Sequence, residues 1–139
     1  MNDKAIGLWR VVSAKIENLD TGELEDVYGP DPTGYLLLAP GGRMMTLLTS
    51  SVNRGNDPVA LFNSMMAYSG VYRIEGDRLI TDVDLAWFPA WVGSQQERFF
   101  SFEGDELHVI GGPILLPADF RRRVRPVLRY RRDDTFAPS

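Results

Sequence analysis

The chain has no cysteine and a single histidine, His108. Disulfide staples, thiolate nucleophiles, iron–sulfur ligation, cysteine- or histidine-based zinc sites and Ser-His-Asp catalysis therefore all lack their parts. Carboxylates alone could ligate a metal, but no motif supports it, so neither a metal nor a cofactor is expected. No stretch of about 18 apolar residues occurs, and the N-terminus has no apolar run of signal-peptide length, so a soluble cytoplasmic protein without a membrane partner is the expectation. At 139 residues the chain reads as one domain, long enough to bury roughly 68% of its unfolded surface around a single core without staples.

Charge is present but unevenly placed. The formal net charge is −4, yet Arg121, Arg122, Arg123, Arg125, Arg129, Arg131 and Arg132 supply seven of the 15 basic residues within a dozen positions. A nucleic-acid surface competes with a plainer reading. In the latter, Arg125, Arg129 and Arg131 form the solvated face of a strand whose other face is Val124, Leu128 and Tyr130. The acidic remainder of the chain and the lack of a nucleic-acid motif favour the plainer reading, so no nucleic-acid partner is expected.

A hydrophobic period of two runs through most of the chain, interrupted by turn signals. It predicts strands at 8–16, 24–28, 34–39, 43–49, 68–74, 78–86, 95–102, 107–110 and 124–132. One helix is predicted at 58–66, with Asp57 as N-cap and Pro58 at its first position. Its apolar stripe, Leu61, Phe62, Met65 and Met66, is either a packing face or a lid. Short connections alternate with long ones, as in an up-and-down antiparallel meander, and closing that meander gives a β-barrel of about eight or nine strands. The long-loop end is the expected mouth.

Two Glu-Gly-Asp tripeptides, Glu75-Gly76-Asp77 and Glu103-Gly104-Asp105, suit two-residue hairpins with glycine at the first central position. Counting back from the first pairs Ile74 with Leu79, Tyr72 with Thr81, Gly70 with Val83 and Tyr68 with Leu85 on an inward face. Asp82 and Asp84, an apparent carboxylate pair, then face solvent unless a bulge turns them in. Counting back from the second pairs Phe102 with Leu107, Phe100 with Val109 and Arg98 with Gly111, and turns His108 outward. The inward face runs Phe102, Phe100, Arg98, Gln96, from apolar to polar. A guanidinium facing an apolar interior is costly unless it meets an acid, water or a ligand, and it cannot deprotonate. Arg98 thus either spans the barrel in an ion pair or reaches out of the mouth, or it anchors a carbonyl or carboxylate beside Tyr68, Tyr72 and Phe100. Trp87, Phe88 and Trp91, around Pro89, either cap the barrel or grip a ligand at its entrance.

Several segments, taken in order, resemble the lipocalin-like domain family of small bacterial and fungal proteins. They are Gly7-Leu8-Trp9-Arg10-Val11-Val12-Ser13, Gly29-Pro30-Asp31-Pro32-Thr33-Gly34-Tyr35, Gly41-Gly42-Arg43-Met44, Ala67-Tyr68-Ser69-Gly70-Val71-Tyr72, Glu75-Gly76-Asp77 and Pro89-Ala90-Trp91-Val92-Gly93. Gln96 and Arg98 match the family's Gly-x-x-Gln-x-Arg pattern. The resemblance implies an all-β calycin-type barrel with a small-molecule cavity, in some relatives tied to isomerising or ring-forming steps of natural-product pathways. Relatives often carry histidines near the positions of Thr81 and Asp82, and those are missing here. Gly7-Leu8-Trp9 also resembles the lipocalin Gly-x-Trp start, in which the tryptophan plugs the closed end under a late arginine; Arg132 has the parity for that role. The meander nevertheless puts Trp9 at the long-loop end, so the two assignments conflict.

The expected function is binding of a small, largely apolar molecule bearing a carbonyl or carboxylate. The residues expected to contact it are Arg98, Gln96, Tyr68, Tyr72, Trp87, Trp91, Phe100, Tyr35 and Met44. The alternative is a cofactor-independent isomerase, cyclase or hydratase, with Arg98 stabilising an oxyanion and Tyr68, Tyr72 or a carboxylate moving protons. A barrel filled by its own side chains is a third reading, and oligomeric state is not specified.

Overall fold

The computed structural model describes residues 3–26, 28–51, 56–112, 114–116 and 119–135. Eight antiparallel strands, each hydrogen-bonded to the next, form the wall. They are β1 (Gly7–Asn18), β3 (Thr33–Leu38), β4 (Arg43–Thr49), β5 (Met65–Glu75), β6 (Arg78–Ala86), β7 (Gln95–Glu103), β8 (Glu106–Gly111) and β10 (Asp119–Arg132). The last pairs back onto the first, from Trp9 opposite Arg132 to Asn18 opposite Val124, so the barrel is closed. Two short strands, β2 (Leu24–Glu25) and β9 (Ile114–Leu116), lie against β1 and β10. Alternation along each strand sends Trp9, Leu36, Met44, Leu48, Tyr68, Leu79, Phe100, Val109 and Leu128 into one core. Among the described residues no helix is long and apolar enough to cross a membrane.

The shortness of β2 removes the conflict over Trp9. The strand expected at 24–28 is only two residues, and within the described residues it pairs beside β1 instead of crossing the barrel. One fewer crossing puts the start of β1 at the short-turn end, with the turns at 40–42, 76–77 and 104–105. There Trp9 is buried, donates from Nε1 to the Ala5 carbonyl at 2.8 Å and packs against Phe102. The Arg132 guanidinium lies 4.3 Å above its ring. Trp9 therefore closes the barrel floor, and the long connections rim the opposite end.

Both hairpins have the expected register. Gly76 and Gly104 take φ of 64° and 63°, while no described residue other than glycine has positive φ, as a turn with glycine first requires. One pairing departs from the count. Between Ser69 and Gly70 the register of β5 against β6 shifts, so Ser69 faces Leu85 and Tyr68 faces Ala86. Asp84 is the extra residue of this bulge. It remains outside, bound to Arg43 and accepting from Ser69 Oγ at 2.8 Å, and Asp82 is exposed as well. Leu85, expected inside, is instead turned out and 69% exposed. Gly70 permits the distortion, since a Cβ there would lie 2.0 Å from the Asp82 carbonyl oxygen.

The helix, α1 (Pro58–Asn63), starts as expected, with Asp57 accepting from Val59 N at 3.0 Å, but ends three residues early. Met65 and Met66 pair with Thr49 and Leu48, so strand pairing overrides the helical period there. The last strand has the expected parity over its described side chains: Val124, Leu128 and Tyr130 are buried. On its outer face Arg125 meets Glu17 at 2.6 Å, and Arg129 forks onto both oxygens of Glu106 at 3.0 Å. The side chains of Arg121 and Arg122 lie outside the described residues.

Candidate functional site

Arg98 is buried on β7 opposite Gly111. A Cβ on Gly111 would come within 2.4 Å of Pro126 Cγ and 3.1 Å of Arg98 Cδ, so the missing side chain is the space through which the arginine stem runs. Its Nη1 donates to the Glu97 carbonyl at 3.1 Å. Among the described residues no carboxylate pairs with it. Arg98 borders a small, partly open space of about 40 Å³, lined also by Leu36, Met44, Thr46, Met66, Tyr68, Leu79, Val109, Pro126, Leu128 and Tyr130. A volume of that size holds a water or a compact polar group.

Three hydroxyl-bearing residues line this space with Arg98: Thr46, Tyr68 and Tyr130. Burial pushes the Tyr130 phenol far above its ordinary range, while its hydrogen bond with Thr46 and the nearby Arg98 charge act in the opposite direction. At neutral pH Tyr130 is thus a proton-bearing donor, not a base. Thr46 Oγ1 donates its one proton to the Tyr35 carbonyl at 3.1 Å. Neither Thr46 nor Tyr130 was among the candidate site residues. Parity could have found both, because Met44, Thr46 and Leu48 share one face of β4, and Leu128 and Tyr130 one face of β10.

The remaining candidates fall into three places. Gln96 is buried two residues nearer the mouth, and its Nε2 donates to Ser94 Oγ at 3.3 Å, in the turn that carries Trp91. Trp91 is half-buried over the core, edge-on to Tyr68 at 6.0 Å and to Phe88 at 5.6 Å. Tyr28, whose hydroxyl burial pushes up to about 12, and Met66 also pack against the core from the long-loop end. Tyr72 and Phe100 lie deeper and do not line the space at Arg98. Tyr72 donates to the Ala39 carbonyl at 2.7 Å, bracing the β3–β4 turn, and burial raises its pKa. Phe100 packs edge-on to Phe102.

Two candidates lie outside the barrel. Tyr35 alternates with the buried Gly34 and Leu36, so it points out from β3 and is 40% exposed. Trp87 follows the bulge of β6, is turned outward, stacks on Phe62 of α1 at 5.2 Å and donates to its carbonyl at 2.8 Å. Both belong to an open apolar groove of about 560 Å³ on the outer wall. Thr81 is fully buried and Asp82 exposed, so no acid–base group faces the interior at those two positions.

Two solved structures are similar to this chain along most of its length. A redesigned β-barrel covers 94% of this chain and 93% of its own, with a TM-score of 0.47 and 10% identity. A point mutant of the fluorescent protein UnaG covers 96% of this chain and 99% of its own, with a TM-score of 0.43 and 13% identity. No curated protein matches the chain. The profile of the lipocalin-like domain family matches residues 6–132, nearly the whole length, and the chain belongs to that family.

Proposed function

We propose that the barrel binds a small, largely apolar molecule through a carboxylate or carbonyl group held by Arg98. One observation carries this reading: a buried guanidinium whose described partner is a single backbone carbonyl. A charge that cannot deprotonate and meets no carboxylate among the described residues is expensive in a closed barrel, and an anionic or carbonyl head group offsets that expense. Thr46, Tyr68 and Tyr130 supply further polar contacts in the same space, and the Met44 and Met66 side chains adapt to an apolar body. Because the space at Arg98 is only about 40 Å³, it takes the head group, and the body of the molecule is accommodated by displacing Met66 and Trp91, which pack against the core from the long-loop end. Binding requires no internal base. Tyr72 is engaged at the floor and Tyr130 holds its proton, so neither of these two serves as a base.

Native mass spectrometry of the purified protein should reveal a co-purifying acid or carbonyl compound. A thermal-shift panel of aliphatic acids and their matching hydrocarbons should stabilise the wild type with the acids and not with the hydrocarbons. In Arg98→Gln that preference should disappear. A response to acids that survives unchanged in Arg98→Gln removes Arg98 as the anchor.

A further inference from the structure

Nine of the thirteen large apolar residues exposed among the described residues lie on one side of the molecule, over the outer wall of β3 to β6 and α1. Tyr35, Met45 and Leu47 form one ridge there, and Leu85 and Trp87 form another. Ala67 and Ser69 floor the trough between them, whose volume is about 560 Å³. The stacking of Trp87 on Phe62 continues the surface onto α1, which buries none of its residues and exposes Val59, Leu61 and Phe62. From these exposures the apolar residues present on the order of 800 Å², above the ~300–600 Å² patch usual for a monomer and close to the ~800 Å² each partner gives to a standard interface.

The bulge in β6 makes this surface. Without the extra residue at Asp84, Leu85 would point into the barrel; with it, a leucine is displaced from the core and stands 69% exposed beside the trough. A ridge beside a trough on one face lets two copies related by a two-fold axis each offer the ridge to the other's trough. The rim is self-complementary too, since Arg43 lies against Asp84 and Arg73 meets Glu75 at 2.6 Å, placing both signs side by side. A mixed rim on a chain of net charge −4 suits another copy of itself better than an anionic lipid surface.

We infer that two copies of this chain pair through the outer wall of β3 to β6, with Leu85 of each copy seated in the other's trough over Ala67 and Ser69. Sedimentation velocity on the full chain should then show a species of twice the chain mass forming from the low micromolar range upward. Leu85→Arg should raise the dissociation constant at least ~10-fold, as removal of a central anchor does, with far-ultraviolet circular dichroism unchanged. If Leu85→Arg fails to fold, Met45→Lys, at a 52% exposed position, carries the same test. The chain has no cysteine, so an equimolar mixture of Leu85→Cys and Ala67→Cys should form a mixed disulfide under mild oxidation; no such cross-link overturns the seating. A wild type that stays monomeric to its solubility limit overturns the pairing, as does a dimer that survives both charge substitutions. A monomer that floats with anionic vesicles reassigns the surface to lipid.

Discussion

Two arginines in this barrel meet opposite circumstances. Arg132, at the closed end, is exposed, yet it donates to the Ile6 and Lys4 carbonyls and covers the face of Trp9. Arg98 is buried, yet its one described hydrogen bond goes to the carbonyl of its own neighbour. Solvent could have served Arg132 without those contacts, whereas the interior gives Arg98 little. Saturation where it is least needed marks a structural plug; the shortage of partners around Arg98 among the described residues is what the proposed head group would make good.

The strongest way to break this comparison is to remove the plug. Trp9→Ala should destabilise by ~3–5 kcal/mol, the usual loss for a buried tryptophan, read from urea unfolding; whatever remains folded should keep its Arg98-dependent ligand response. A loss near zero would mean that the closed end is not where the stability lies. Gly111→Ala should cost ~1–3 kcal/mol, because the new methyl must displace Pro126 or the Arg98 stem, and it should weaken acid binding as well. Arg98→Met works in the other direction. Removing an unmatched buried charge and keeping an unbranched stem should stabilise the unliganded protein by ~1–2 kcal/mol, as often happens when a functional site is made apolar.

The smallest effect is confined to acid. Glu106 accepts the Arg129 fork and a contact from His108, and Arg129 holds its carboxyl down at about 2, below the ordinary 4.5. A depressed carboxylate contributes stability that is fully present above its unfolded pKa and is lost as pH falls through the folded one. The wild type should therefore lose stability between about pH 4.5 and pH 2, and Glu106→Gln should show a shallower slope over that window, measured by urea midpoints. Equal slopes would show that Glu106 is not the group titrating.

The features legible in the sequence were those fixed by local chemistry. Glycine-first turns set two registers, and through them Arg98 and Gln96 were placed inside and His108, Asp82 and Asp84 kept off the interior face. The misread features depend on neighbours distant in sequence. The bulge at Asp84 leaves no local mark except Gly70, whose missing Cβ matters only because the Asp82 carbonyl crosses it. Met65 and Met66 continue a helical stripe but are claimed by β4. Segment 24–28 alternates like a strand, yet at Leu24 and Glu25 it finds only the end of β1 to pair with. Tyr130 and Thr46 come from β10 and β4, so their meeting at Arg98 required knowing that the barrel closes.

On the proposed reading a ligand completes Arg98, which meets no carboxylate among the described residues. Urea unfolding of wild type and Arg98→Met, each with and without a medium-chain aliphatic acid in excess, tests this directly. The predicted result is a crossing. Without the acid Arg98→Met is the more stable protein; with it the wild type overtakes, because only the wild type gains from the ligand. If Arg98→Met is less stable without the acid, or gains as much from it as the wild type does, Arg98 is a structural residue and the account is wrong.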